Sequence, residues 1–199
     1  MSQIVKAPDV RLVPARRRFL GTLGTATLSA TAVAILAGCE RMATAQGGSA
    51  ANDVQILNVA LGLEQEAITA YQLGAESGLL QKPVLDVAVA FQSHHKEHAG
   101  ALEATIRKLG GAPVAPKSKD EYARALNAAS LRNQTDVLKL AQRLERGAAN
   151  AYIGVIPSFG SKDLAKVAAR LAADETMHWT ALTSALAEPL PKGALSFGG

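Results

Sequence analysis

The chain has 199 residues, 48% of them hydrophobic and only 4% aromatic, enough apolar material for one sizeable core with appendages and too little for two full domains. Alanine is frequent and aromatics are scarce, which suits close-packed helices rather than sheets, so the composition predicts an all-α fold. Five of the 21 Lys and Arg residues and one of the 17 acids precede residue 39, which leaves 16 against 16; a neutral remainder with no basic stripe excludes nucleic acid as a partner.

The first 45 residues read as an address. Arg16-Arg17-Arg18-Phe19-Leu20 opens a weakly apolar, uncharged stretch to Gly38, rich in Gly, Ala and Thr, in the order of parts of a secretory signal. The paired Arg16 and Arg17 before Phe-Leu resemble the twin-arginine export motif, which implies the twin-arginine export machinery as a partner and passage across the membrane in the folded state. Leu36-Ala37-Gly38-Cys39 resembles a lipobox, which implies lipidation of Cys39, a membrane anchor and a place on the periplasmic side of the envelope. Ala43-Thr44-Ala45 also reads as a small-x-small cleavage site, but the apolar run ends directly at the lipobox, and charged Glu40 and Arg41 sit awkwardly before the alternative. A permanent membrane span would need a less diluted apolar run. With this lone cysteine no intramolecular disulfide or Cys-x-x-Cys site can form. Residues 46–52, small and polar, read as a flexible linker.

A bundle is expected over 53–188. In 53–77, Leu57, Ala60, Leu61, Ala67, Ile68 and Tyr71 recur at three and four residue steps, one buried helical face. A second stripe runs Val84, Ala88, Phe91, Leu102, Ile106, with Pro83 near its start and Gly110-Gly111 beyond its end. About two dozen residues follow, with a short helix expected around 121–129. The third stripe is Leu138, Ala141, Ala148, Tyr152, Ile156, stopping at Pro157; the fourth is Leu164, Ala168, Leu171, Leu182, Leu186, after Ser161 as N-cap. Short links join antiparallel neighbours, and a long crossover between helices 2 and 3 is a recurrent device of four-helix bundles. Residues 189–199 form a Pro/Gly-rich tail.

The halves repeat: Leu63-Glu64 through Tyr71 matches Leu144-Glu145 through Tyr152, and Val87-Ala88 with His98-Ala101-Leu102 matches Val167-Ala168 with His178-Ala181-Leu182. Polar residues interrupt the stripes at equivalent depths. Glu64 and Glu145 lie within the first and third, His95 and His98 within the second, Glu175 and His178 within the fourth. Taken singly, such a His is an ordinary hydrogen-bonded core residue and such a Glu an ion-pair partner. Six at matching levels are instead the mark of a site, because buried carboxylates need pairing or a metal, and a mixed carboxylate and imidazole set suits Fe or Mn, with Zn admissible.

With Glu64, Glu145, Glu175-Thr176-Met177-His178 and His98 in place, the chain resembles the ferritin-like superfamily, close to its exported bacterial members. The resemblance implies an antiparallel four-helix bundle holding two divalent metal ions with one Glu from each of two helices and Glu-x-x-His from each of the others. It departs from the pattern where His95-Lys96-Glu97-His98 puts imidazole in place of a carboxylate. His94 and Glu97 point about 100° off and read as solvated or as outer neighbours of the site. Tyr71, Tyr152 and Trp179 read as packing. The implied activities are those of an oxidase, a ferroxidase or a peroxide-consuming enzyme. A non-catalytic metal-binding or stress protein and a structural module of the envelope are the alternatives, and the pattern leaves room for a homodimer.

Overall fold

The computed structural model describes residues 50–198. Arg16 and Arg17, read as the export signal, and Cys39, read as the lipidation site, lie outside the described residues. Four long helices form the body: α1 Ala50–Glu76, α2 Lys82–Lys108, α4 Gln134–Val155 and α5 Lys162–Ala185, with the short α3 Lys119–Ala125 in the crossover. No strand occurs among the described residues.

The caps explain where the chain turns. Pro83 sits in the first turn of α2, where its missing N–H costs nothing, and Arg107 and Lys108 occupy the last turn, where cations face the negative end of the helix. Gly78 and Gly110, with φ of 70° and 79°, take the left-handed turns that close α1 and α2. In α3 Ser118 and Glu121 form a reciprocal capping box, and Asn133 and Ser161 cap α4 and α5 through Asp136 N and Leu164 N.

Two boundaries differ from expectation: the short helix expected around 121–129 ends at Ala125, where left-handed Asn127 separates it from a 3-10 turn at Ala128–Ser130; the other is the start of α1. α1 begins at Ala50, so the last three residues of the segment read as linker are helical. Tertiary bonds hold that first turn: the Asn52 amide donates to Ser158 O at 3.3 Å, and buried Asp53 accepts from Gly160 N at 3.0 Å. The tail also packs. Arg146 donates to Ser196 O at 2.9 Å and lies against both Trp179 and Phe197.

α1 pairs with α2 and α4 with α5 as two helical hairpins, and two cross-bonds, from Tyr71 to Glu145 and from Tyr152 to Glu64, fix the register between them. Seven residues forward on α1 correspond to seven back on α4, so these helices run antiparallel. The core then divides by level. Leu57, Leu61, Leu102, Ile106, Tyr152, Leu164 and Leu171 fill one end, while Tyr71, Phe91, Leu138 and Leu182 fill the other. Each fully buried Leu or Ile contributes on the order of 1.5–3 kcal/mol. The polar residues lie in the layer between, where both ends shield them from water.

Candidate metal centre

The helical period carries Glu64, His95, His98, Glu145, Glu175 and His178 into that one layer, and all six are buried, His98 least at 9% exposure. Their donor atoms form two overlapping groups, Glu64 with His95, His98 and Glu175, and His95 with Glu145, Glu175 and His178, each with its atoms within 4.8 Å of one another.

The histidines are not equivalent. His98 turns Nδ1 inward, 3.2 Å from Glu175 Oε1, and Nε2 outward to exposed Asp174 at 3.3 Å. His178 does the same: Nδ1 faces Glu175 at 3.2 Å and Glu145 at 3.4 Å, and Nε2 meets His94 Nδ1 at 2.9 Å. An inward nitrogen with the outer one anchored is how ligand imidazoles are oriented. His95 instead has both nitrogens inside, Nδ1 2.7 Å from Glu64 and Nε2 3.1 Å from Glu145, and as an imidazolium donates to both.

Charge follows geometry. Burial opposes the charged form of His95, but the hydrogen bonds it donates to Glu145 and Glu64 and the charges of its carboxylate neighbours overcome it and push its pKa to about 11. Burial likewise opposes charge on His98, and Glu175 and Glu64 raise it to about 10. His178 is raised against its own burial by Glu145 and Glu175. Glu64 and Glu145 also meet a burial cost, outweighed by their histidines, and stay below the usual carboxylate range. Glu175 goes up, driven first by burial and then by the charge of Glu64.

Three of the layer's atoms, His98 Nδ1, Glu145 Oε2 and Glu175 Oε1, have no hydrogen-bond partner although fully enclosed. His98 Nδ1 and Glu175 Oε1 are close enough to attract but not aligned to bond. Such orphaned polar atoms are costly, and cations in the two donor groups would satisfy them once His98 Nδ1 gives up its proton. The donor set therefore fits a metal.

A family model for the ferritin-like domain matches residues 52–188. The chain belongs to the ferritin-like domain family. No curated protein matches it. As a ferritin-like chain it combines an all-helical bundle with a buried His and Glu cluster that could hold metal.

Three contributors were not legible as such in the sequence. Tyr71 and Tyr152 are more than packing: the Tyr71 hydroxyl donates to Glu145 Oε1 and the Tyr152 hydroxyl to Glu64 Oε1. Burial first, then the adjacent carboxylates, hold both phenols well above their ordinary pKa, so they remain donors. The signal was present in the repeat, since a Tyr seven residues after each Glu meets the other Glu once the helices run antiparallel. His94 is half-buried and reaches the outer side of His178 across the α2–α5 seam, whereas Glu97 is exposed. Trp179 is buried against Phe197, a packing residue.

Proposed function

We propose that the chain is an exported ferritin-like protein whose six buried side chains hold a dinuclear Fe or Mn centre acting on dioxygen, peroxide or Fe(II). One observation supports the reading: the two four-donor groups share Glu175 and His95, so the Glu175 carboxylate would contribute to both positions. When bound, such a pair supplies Lewis-acid and one-electron chemistry. The chain's own part is to hold Glu64 and Glu145 as anions, to aim them through Tyr152 and Tyr71, and to turn His98 and His178 inward through Asp174 and His94. Ligand imidazoles must be neutral, so binding displaces protons from the layer. Arg16, Arg17 and Cys39 support export through the twin-arginine machinery and a lipid anchor on the periplasmic side.

A second reading, a non-catalytic metal-binding or structural protein, draws on His95. With both nitrogens committed to carboxylates, its imidazolium already supplies one of the positive charges a metal would bring. Elemental analysis of the natively exported protein separates the two. About two equivalents of Fe or Mn per chain, with an oxygen-dependent absorbance change, supports the dinuclear enzyme. Tight metal without turnover supports the binding protein. No metal, and no stabilisation on adding Fe(II) or Mn(II), refutes both metal readings.

A further inference from the structure

The end of the bundle formed by the C-terminal halves of α1 and α5 and the N-terminal halves of α2 and α4 contains a cavity of about 200 Å³. Its walls include Tyr71, Ala88, Leu138, Ala141, Ala181 and Leu182, and no charged side chain lines it. The single hydroxyl among the lining side chains, on Tyr71, is committed to Glu145. The cavity exists because alanines stand on all four long helices, where larger side chains would have closed the layer. It opens along the α2–α5 seam, where Pro83 and Val87 face Ala181 and Ala185, all four exposed.

Its inner wall is the Tyr71 ring, with Phe91 packed behind it. Tyr71 and Phe91 meet edge to face at 6.2 Å; on the far side Tyr71 stacks on His95 at 5.4 Å and Phe91 on His178 at 4.1 Å. A molecule in the cavity therefore sits one ring's thickness from the polar layer without exposing that layer to water.

An apolar void of this kind holds no ordered water, because nothing in its wall replaces water's hydrogen bonds, and one of about 150 Å³ accepts benzene. Left empty, it forfeits packing of the same order as a large-to-small core substitution. We propose that this cavity is a binding site for a small uncharged hydrocarbon group of about six to eight carbons. Charge is rejected by the absence of any counter-charge or free donor in the wall, and size is set by the Tyr71 ring at one end and the seam at the other. The proposal is independent of whether the polar layer holds metal.

The test is titration of the mature protein with toluene, followed by NMR of 13C-labelled Leu and Val methyls, metal-free and after Fe(II) or Mn(II) loading. Saturable shifts centred on Leu138, Leu182 and Val84 are expected, with none from benzoate. Ala141→Leu, which fills the interior, should abolish them; Ala185→Phe, at the exposed mouth, does the same without burdening the core should the first variant fail to fold. No saturable shift in the native sequence, equal binding of benzoate, or shifts that survive the filling variants overturns the proposal. Each of those results leaves the metal content of the protein, measured separately, untouched.

Discussion

Replacing His95 tests the polar layer most directly, because it is the residue that departs from the family pattern and it touches both Glu64 and Glu145. In metal-free protein His95→Ala takes from those two carboxylates, each 1% exposed, the cation they share, leaving Glu64 only His98 at 3.6 Å and Glu145 only His178 at 3.4 Å as charged partners. Breaking a buried ion pair from one side costs about 3–5 kcal/mol. Since about 1 kcal/mol shifts Tm by roughly 2–4 °C in a domain near this size, the melting temperature should fall by about 6–20 °C. His95→Glu adds a fourth carboxylate and should be worse still without metal. Saturating Fe(II) or Mn(II) reverses the order: the ions replace the lost charge, and His95→Glu, with two Glu-x-x-His pairs, recovers more than His95→Ala. The assay is thermal unfolding by circular dichroism for the native sequence and both variants, with chelator and with metal, beside metal content. Glu175→Ala, at the equivalent place in the other repeat, should lose at least as much metal as His95→Ala. A metal-free His95→Ala melting like the native protein would refute the ion-pair account, and identical losses with and without metal would show a polar core that does not bind it.

The two tyrosines should act on the layer without being part of it. Tyr71→Phe and Tyr152→Phe each remove a donor to a buried carboxylate; each should cost about 1.5–3 kcal/mol in metal-free protein and weaken metal binding about 10–100-fold by isothermal titration, and effects confined to stability would make them structural only. Stability of the metal-free protein should depend on pH with a definite sign. The raised His95 and His98 contribute fully below their unfolded pKa near 6.5, and that contribution drains away as pH rises toward about 10 to 11. The lowered Glu64 and Glu145 act oppositely: their contribution is present above the usual carboxylate pKa and lost on acidification, although each contact with a histidine is one interaction seen from two sides. A denaturation series should thus peak between about pH 5 and 6.5, and a flat profile to pH 10 would show that the histidines are not paired. For export, lysine at both Arg16 and Arg17 should block processing and Cys39→Ser should release the protein from membranes; a soluble mature chain beginning at Gln46 in mass spectrometry would exclude the lipid anchor.

The sequence by itself determined the four long helices and the six polar residues of the central layer, because which side of a helix faces the core follows from a 3.6-residue period written locally in each segment. The repeat placed Glu64 with Glu145 and His98 with His178 at equivalent depths. Everything that depends on how helices sit against one another was decided by the tertiary structure. The antiparallel register of α1 and α4 turned two apparent packing residues, Tyr71 and Tyr152, into partners of each other's glutamate. The α2–α5 seam brought His94 to His178 although it is off the stripe, since a residue about 100° from the core can still meet a neighbouring helix. The commitment of both His95 nitrogens, the helical start at Ala50 and the apolar cavity at one end share that origin. Each is set by distances between side chains on different helices, which periodicity within one helix does not encode.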